Sequence, residues 1–425
     1  MISILRAKDV PLQTILCRGI REEKNVDAQV DEIIKTVRER GDAALIEYAE
    51  RFDRARLTAL RVTQEEIDEA WAATDEDFKA TLQMAHDNIA AFHKNQLARD
   101  FVMTDRPGVV LGQRYTPIER AGVYVPGGTA SYPSTVLMDA IPAKLAGVSE
   151  IVMVTPPGPD GKIAPAILAA AKVAGVTSIY KIGGAGAVAA LAYGTQSVPR
   201  VDKIVGPGNV YVATAKRKVF GTVDIDMIAG PSEILVIADE GCKPAYVAAD
   251  LLSQAEHDRL ASAVLVTTSE KLAFAVAAEL ERQLALLPRE AIARESIETN
   301  GKILLVDSLD EAAAISNEIA PEHLELSVED PFSLLPMIRN AGSIFLGRNV
   351  PEALGDYFAG PNHTLPTSGT ARFSSPLGVD DFRKRSSFIY YSKDALAQVA
   401  DRIVDFARRE GLDAHARSVS IRFEE

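Results

Sequence analysis

Residues 150–183 read EIVMVTPPGPDGKIAPAILAAAKVAGVTSIYKIG and contain the pattern that decides the fold. Two short runs rich in β-branched residues, EIVMVTP (150–156) and SIYKIG (178–183), enclose a helical pattern, PAILAAAKVAG (165–175). A strand, a helix and a second strand in this order indicate a βαβ unit, in which the two strands run parallel in one sheet. The stretch therefore predicts an α/β protein built on parallel sheets.

The same alternation continues toward the C-terminus. Further strand-like runs are DKIVG (202–206), EILVIAD (233–239), AVLVTT (263–268), KILLVD (302–307) and GSIFLG (342–347). So many strands separated by helices predict two doubly wound units rather than one sheet. EIVMV resembles EILVI, and SIYKIG resembles SIFLG, which is a faint sign of internal duplication.

The first hundred residues have a helical pattern instead. The apolar positions of residues 26–41, VDAQVDEIIKTVRERG, lie three and four apart. Thr63 and Glu66 predict a capping box that opens a helix running to His93. Residues 108–125 are expected to be extended, and residues 355–378 form a polar, Gly- and Pro-rich loop of a length typical of functional loops.

Composition excludes several classes of protein. The chain has 425 residues, 47% of them hydrophobic and 25% charged, which is ordinary globular composition. Its net charge of −13 argues against a nucleic-acid or anionic-membrane partner. Cys17 and Cys242 cannot form a disulfide framework or a thiolate metal cluster, and free thiols fit a reducing cytoplasm. Neither a secretory signal in MISILRAKDVPLQ nor a membrane span is expected, so the predicted location is cytoplasmic.

A possible metal site begins at LLSQAEHDRL (251–260). This run closes a helical pattern that starts near residue 244, so Gln254 and His257 are expected to share a helix face. An amide oxygen and an imidazole can bind zinc, although for this motif taken alone a hydrophilic helix end is the favoured explanation. Because the chain has only two cysteines, further ligands must offer nitrogen or oxygen, and Asp356 and His415 are the candidates.

Three glycine-rich turns follow strand-like runs: YVPGG (124–128), GGAGA (183–187) and GPGN (206–209). Such turns let backbone amides and a helix N-terminus approach phosphate oxygens. Residues 184–189 also match G-x-G-x-x-A, with Asp202 further on, but tight strand-to-helix connections produce this match by chance.

Residues 320–326, APEHLEL, place a carboxylate beside an imidazole in a chain with six histidines. Pro321 suits the first position of a helix, so Glu322 and His323 are expected in an exposed first helical turn, where they do not face each other. Glu322 could simply complement the helix dipole. Alternatively, the two side chains form an acid/base pair that reaches a ligand in a cleft and serves two different protons.

Several motifs together resemble the histidinol dehydrogenase family. They are GVYVPGG (122–128), VDKIVGPGNVYV (201–212), DMIAGPSEILVIAD (226–239), LLSQAEHD (251–258), APEHLEL (320–326), GPNHTLPTSGTARFSSPLGVDDF (360–382) and EGLDAH (410–415). The similarity spans nearly the whole chain. It implies an enzyme that oxidises L-histidinol through L-histidinal to L-histidine with two NAD and one zinc ion, in the final step of histidine biosynthesis.

The resemblance also implies roles for individual residues. The implied zinc ligands are Gln254, His257, Asp356 and His415. His323 would act as general base on the alcohol, and Glu322 would activate the water that hydrates the aldehyde. The implied substrate contacts, which include the metal ligands and the catalytic pair, are Ser232, Gln254, His257, Glu322, His323, Asp356, His363, Glu410 and His415.

For the cofactor, Tyr124 and Asn209 match the NAD-contacting tyrosine and asparagine of the family. The chain departs from the family at Gly186, where GGAGA replaces the common GGAQA and removes a side-chain donor. The apparent G-x-G-x-x-A match therefore arises from a substitution and does not indicate Rossmann-mode binding.

The implied assembly is a homodimer of two duplicated, incomplete Rossmann-like parallel-sheet domains, with an N-terminal helical segment and a C-terminal tail domain. The expected divisions are an N-terminal extension (1–22), a discontinuous large α/β domain with the metal and catalytic residues (23–123 and 234–378), a second α/β domain on the NAD side (124–233), and a tail (379–425). The tail would cross to the partner, so that His415 and Glu410 complete the neighbouring site.

Three other functions remain open from the sequence. One is a metal- and NAD-dependent dehydrogenase of another polar alcohol on the same scaffold, which retention of Ser232, His363 and Glu410 disfavours. Another is a zinc hydrolase in which Glu322 activates metal-bound water. The third is a ligand-binding protein without turnover.

Overall fold

The computed structural model describes residues 2–11, 15, 25–127 and 131–424. Cys17 and Gly128, the last residue of YVPGG, lie outside this part of the chain. The predicted α/β class with parallel sheets is confirmed. No helix in the described ranges combines the length and the apolar character needed to cross a membrane.

Strands and helices alternate through most of the chain. The strands are β1 (Ser3–Arg6), β2 (Phe101–Met103), β3 (Val109–Pro117), β4 (Arg120–Tyr124), β5 (Glu150–Thr155), β6 (Ser178–Lys181), β7 (Lys203–Val205), β8 (Asp224–Ile225), β9 (Glu233–Ala238), β10 (Ser262–Thr267), β11 (Lys302–Leu305), β12 (His323–Ser327), β13 (Ser343–Leu346) and β14 (Arg383–Tyr391). The helices are α1 (Val26–Arg40), α2 (Asp42–Tyr48), α3 (Gln64–Ala73), α4 (Glu76–His93), α5 (Pro133–Ala146), α6 (Pro165–Ala174), α7 (Gly184–Tyr193), α8 (Val210–Val219), α9 (Pro244–Ala255), α10 (Glu270–Leu284), α11 (Glu290–Thr299), α12 (Leu309–Ile319), α13 (Pro331–Leu334), α14 (Glu352–Tyr357), α15 (Lys393–Ala397), α16 (Ala400–Arg409) and α17 (Asp413–Ser420).

The chain divides into two compact units. Unit 1 contains residues 1–96 and 119–382, and unit 2 contains residues 97–118 and 383–425. Unit 2 holds an antiparallel sheet of order β14-β3-β2 together with α15, α16 and α17. The domain divisions expected after residues 22, 123, 233 and 378 stay a prediction.

Unit 1 holds two parallel sheets with the same connection pattern. Among the described residues, sheet A has the order β1-β11-β10-β9-β12-β13 and sheet B the order β6-β5-β4-β7-β8. In each sheet a central strand, β9 or β4, is followed by two strands on one side and then by two on the other side; sheet A also has β1, which precedes these strands in the chain and pairs with β11 at the edge. The sequence echoes noted above do not follow this equivalence, because EIVMV is β5 whereas EILVI is the central strand β9. Those echoes reflect the common composition of buried strands.

Apolar cores cover both faces of sheet A. Along β9, Ile234 and Val236 enter one core, whereas Leu235 and Ile237 enter the other. This alternation follows from the two-residue period of a strand, and it explains why the strand is apolar throughout. A third core lies on sheet B and includes residues of α1, α2, α7 and α8. The sheets are thus rigid supports for the polar residues at their edges.

The N-terminal helices follow the expectation with one difference. The capping box at Thr63 is confirmed, since its hydroxyl accepts from Glu66 N and the Glu66 carboxylate accepts from Thr63 N. The run to His93 is two helices, however, because Asp75 caps a new helix by accepting from Phe78 N.

The expectation of a helix at APEHLEL is wrong. Helix α12 ends at Ile319, and Ala320 adopts a left-handed conformation with φ 50°. Pro321 follows this residue, so it marks the end of one helix and not the start of another. His323 opens strand β12, and Glu322 and His323 are buried at 7% and 4% exposure.

Candidate active site

Glu322 and His323 are both held by the backbone of Glu233, the first residue of β9. Glu233 N donates to Glu322 Oε2 at 2.8 Å, and His323 Nδ1 lies 3.1 Å from the carbonyl oxygen of Glu233. The two side chains approach each other, with 3.6 Å between His323 Nδ1 and Glu322 Oε2. The expectation that they would not face each other is therefore wrong. Both sit at the amino ends of β9 and β12, which are adjacent in sheet A.

The hydrogen bond of His323 determines which ring nitrogen is available. A carbonyl oxygen only accepts, so Nδ1 carries the proton and donates it to Glu233. Nε2 is then free to accept a proton, and it has no hydrogen-bond partner in the described part of the chain. It lies 3.6 Å from Glu352 Oε1 and 3.9 Å from Asp356 Oδ1. His323, Glu352 and Asp356 thus converge, with ligand atoms all within 4.8 Å of one another.

Helix α14 supplies the two carboxylates from one face, because Glu352 and Asp356 are four residues apart. Glu352 N donates to Glu325 Oε1 at 3.1 Å, and Ser253 Oγ lies 3.2 Å from Glu352 Oε2. These contacts attach the start of α14 to β12 and α9. Sequence reasoning missed Glu352, although its spacing from Asp356 in PEALGD was a usable signal.

The ionisable side chains in this cluster shift one another's pKa values. Burial, together with the charge of Asp356, raises the pKa of Glu352 to about 8. Burial also opposes ionisation of Asp356, but the His323 imidazole, 3.9 Å away, outweighs it and lowers the Asp356 pKa. For His323, burial lowers the pKa, and the carboxylates of Glu322, Asp356 and Glu352 more than reverse this effect. The arrangement concentrates negative charge, which favours a bound cation.

The environment of Gln254 indicates whether a metal ion fits this cluster. It lies in the last turn of α9 at 1% exposure, and neither amide atom has a hydrogen-bond partner among the residues described. A buried amide of this kind needs a ligand, because leaving it unpaired costs about 1–3 kcal/mol. Its amide lowers the pKa of Glu352, so the two side chains are neighbours. An oxygen-donating amide beside the carboxyl group of Glu352 suits a divalent ion such as zinc.

The expectation that His257 shares a helix face with Gln254 is wrong. Helix α9 ends at Ala255, and His257 is exposed in the turn that follows, with its N–H donating to Gln254 O at 3.1 Å. His363 lies in the loop after α14, where Nδ1 donates to the Asp356 carbonyl at 3.0 Å. Burial lowers the pKa of His363, which favours a neutral ring. Ser232 is half-buried directly before β9.

Tyr124 and Asn209 lie at the opposite kind of edge, where the central strands of sheet B end. Tyr124 is the last residue of β4, and its hydroxyl accepts from Gly184 N at 3.1 Å, which joins it to the N-terminus of α7. Burial raises the pKa of Tyr124 to about 12, so the hydroxyl keeps its proton. Asn209 follows β7 and caps α8, accepting from Tyr211 N and Val212 N. This position between β4 and β7 is the switch point of the sheet, where α/β proteins bind ligands.

Comparison with known proteins agrees with this geometry. A family model described as histidinol dehydrogenase matches residues 17–423. The chain belongs to the histidinol dehydrogenase family. It is therefore an oxidoreductase, and the resemblance carried by its motifs is confirmed.

Individual members of the family are similar along their whole length. Histidinol dehydrogenase of Syntrophotalea carbinolica is 60% identical over 416 residues, which cover 97% of this chain and 96% of that protein. The enzyme of Listeria monocytogenes is 58% identical over 400 residues, with 94% and 93% coverage. The crystal structure of histidinol dehydrogenase from Elizabethkingia anophelis superimposes with a TM-score of 0.94 at 39% identity, covering 99% of this chain and 98% of that chain.

The remaining residues implied by membership of the family lie in unit 2. Glu410 is the C-terminal cap of α16, and His415 lies in the first turn of α17. Both side chains are exposed. The structure therefore brings together Glu322, His323, Asp356 and His363, with Gln254 beside Glu352, and the four-ligand metal set stays a prediction.

Proposed function

We propose that this protein oxidises L-histidinol through L-histidinal to L-histidine, the last step of histidine biosynthesis, with NAD and one zinc ion per subunit. The observation that carries the proposal is the oriented imidazole of His323. Its Nδ1 is committed to Glu233, and its Nε2 faces two carboxylates in a buried cluster. An imidazole with one nitrogen committed to a carbonyl, and with neighbouring carboxylates that make the other nitrogen more basic, suits removal of an alcohol proton.

Gln254, His257 and Asp356 would hold the zinc ion together with His415 of the tail. The unpaired amide of Gln254 and the ionised Asp356 support this set. The bound ion would supply a Lewis-acidic contact for nitrogen donors of the substrate, and the residues around it would orient the alcohol toward the base. His363 and Ser232, with Glu410, would line the rest of the substrate site.

His323 and Glu322 would divide the proton transfers between them. In the first oxidation, His323 Nε2 would take the hydroxyl proton; bound NAD would supply the acceptor for the hydride that leaves the carbon. The aldehyde then adds water, and Glu322 removes a proton from this water. The hydrate anion formed in this way would give up a second hydride, for which a second NAD would supply the acceptor, and would lose a proton to give the carboxylate. The 3.6 Å separation of His323 Nδ1 and Glu322 Oε2 supports action at one reaction centre.

NAD would bind at the carboxyl edge of sheet B. Tyr124 and Asn209 flank the switch point there, and the N-terminus of α8 lies directly after Asn209. Backbone N–H groups at such a helix start favour phosphate oxygens. Gly186 offers no side-chain donor to this site.

A homodimer would complete the site with the tail of the partner. Unit 2 exposes large apolar side chains on β14 and α16, including Ile389 at 74%, Tyr390 at 58% and Phe406 at 66%. Apolar surface of this kind is typical of an interface. The low cysteine content fits an enzyme of the reducing cytoplasm.

One assay tests the proposal. Purified protein with zinc, NAD and L-histidinol should form two NADH per histidinol consumed, and one NADH per histidinal. One NADH per histidinol, ending at the aldehyde, would indicate a simple alcohol dehydrogenase. Turnover of a different polar alcohol in preference to histidinol would support the alternative on the same scaffold. If no NADH formed from histidinol or from histidinal, the assignment to histidinol oxidation would be contradicted. If no NADH formed from any alcohol tested, the hydrolase or the ligand-binding protein would remain.

A further inference from the structure

Asp139 is a buried carboxyl group that the proposed chemistry does not use. It lies in the middle of α5, in a stretch of helix that is buried on all sides, and is itself 0% exposed. Its Oδ1 accepts a 2.7 Å hydrogen bond from the hydroxyl of Thr364. Its Oδ2 has no hydrogen-bond partner within the described ranges. A carboxyl group buried in this way needs a reason, because burial without full pairing is costly.

On one side, α5 holds the loop that carries His363. Asn362 Nδ2 donates to the Met138 carbonyl at 2.6 Å, and Thr364 N donates to Asn362 Oδ1 at 2.8 Å. Thr364 Oγ1 donates to Asp139. Two consecutive residues of α5 thus anchor the residues on both sides of His363. Any shift of α5 would therefore move this imidazole.

On the other side, Asp139 lies against the turn at Gly206. This glycine has φ +111°, and a Cβ there would lie 2.1 Å from the Tyr124 carbonyl and 3.0 Å from Asp139 Oδ2. The turn is fixed by a buried ion pair, since Gly206 N donates to Asp226 Oδ2 at 2.7 Å and Lys216 Nζ donates to the Gly206 carbonyl at 3.0 Å. The same turn leads to Asn209.

We propose that Asp139, as a neutral carboxylic acid, is a positioning residue that joins the two halves of the site. Its Oδ1 holds the His363 loop and its Oδ2 lies against the Gly206 turn, so it sets the distance between bound substrate and bound cofactor. The idea rests on the proposed function. Lys216 is already committed to Asp226 and Gly206, so a second charge at Asp139 would repel Asp226 and displace the turn.

The electrostatics agree with this geometry. Burial raises the pKa of Asp139 to about 8; the charge of Asp226 raises it as well, whereas the Thr364 hydrogen bond and Lys216 lower it. The folded state therefore keeps a proton that the unfolded chain releases above its ordinary pKa of about 4. Unfolding then releases a proton between these values, so the free energy of unfolding falls as pH rises from about 4 to about 8.

Asp139→Asn tests this state without any turnover. The amide matches a neutral carboxyl group in size and can still accept from Thr364. Infrared difference spectra at a pH of about 6 should show a protonated carboxyl band that Asp139→Asn lacks, and urea unfolding of the variant should lose part of the pH slope. Absence of this band, or an unchanged slope, would overturn the proposal.

Kinetics then test the positioning role. Asp139→Asn should keep kcat/KM for NAD and histidinol within about twofold of the native values at neutral pH. In the native protein kcat/KM should decline as the pH rises above the pKa of Asp139, and the variant should not show this decline. Asp139→Ala and Thr364→Val should each lower kcat/KM by about tenfold or more. The kcat/KM of the double variant should be no lower than that of the less active single variant. Ser316→Ala removes a buried hydroxyl without a partner among the described residues, so it should change nothing.

Three results would contradict the positioning role. The first is a large loss of kcat/KM in Asp139→Asn at neutral pH, which would mean that the ionised form is needed. The second is additive loss in the double variant, and the third is a set of variants that change thermal stability without changing kcat/KM. If the native protein does not oxidise histidinol, the proposed function fails, whereas the infrared band, the unfolding slope and NAD titrations of the same variants still decide the role of Asp139.

Discussion

Sheets A and B share one connection pattern but present their polar residues at opposite edges. In sheet B, Tyr124 ends β4 and the Gly206 turn follows β7, so the residues of interest lie at the carboxyl edge. In sheet A, Glu322 and His323 lie at the amino end of β12, against the amino end of β9. Carboxyl edges lead into helix N-termini, which offer N–H donors to phosphates. The amino edge offers the side chains of the strands themselves, which suits acid/base chemistry.

The largest expected effect is at the amino edge of sheet A. His323→Asn should lower kcat for histidinol by about 10²–10⁴-fold, because the general base of the first oxidation is lost. Bound zinc should be unchanged, since His323 is not in the proposed ligand set. Measurement of kcat together with metal content per subunit checks both statements. His86→Asn on α4 is the matched control and should behave as the native protein; loss of zinc in His323→Asn would mean that His323 is a ligand.

A smaller and more selective effect is expected at the neighbouring residue. Glu322→Gln keeps an oxygen that can accept from Glu233 N but cannot take a proton from water. Oxidation of added histidinal should slow by about 10²-fold, and the alcohol step should slow less. Single-turnover NADH formation from each substrate separates the two steps. Equal damage to both would contradict the division of roles between Glu322 and His323.

The carboxyl edge of sheet B should respond in KM for NAD. Asn209→Ala removes the cap of α8 and a proposed cofactor contact, so KM for NAD should rise about tenfold while KM for histidinol stays constant. Asp75→Ala removes an equivalent cap from α4. Each variant should lose about 1 kcal/mol of stability. If Asp75→Ala raised KM for NAD equally, the effect of Asn209 would be one of stability alone.

The sequence predicted the two sheets because buried parallel strands have a clear signature. EIVMVTP and EILVIAD carry that signature in their own residues, as β5 and β9. It mispredicted APEHLEL because the end of α12 depends on the left-handed Ala320, which no periodicity indicates. Glu352 and Asp139 were missed for another reason. Each acquires its environment from segments far along the chain, Glu352 from His323 and Asp139 from Thr364.

The smallest expected effect is at Gly186, in the first turn of α7 beside the carboxyl edge of sheet B. A Cβ there would meet Leu45 and Tyr48 at 3.4 Å, which is an ordinary contact, so Gly186→Ala should fit without strain. The free energy of unfolding should rise by up to about 1 kcal/mol, because glycine is the weaker helix former. Gly184 in the same turn has φ +60°, so Gly184→Ala should lower the free energy of unfolding. It serves as the matched variant with the opposite expected effect on stability. The Cβ direction at residue 186 is toward α2, so KM for NAD should not change in Gly186→Ala. Urea unfolding and NAD kinetics of the two variants check this, and an altered KM in Gly186→Ala would show that this turn contacts the cofactor through its side chains.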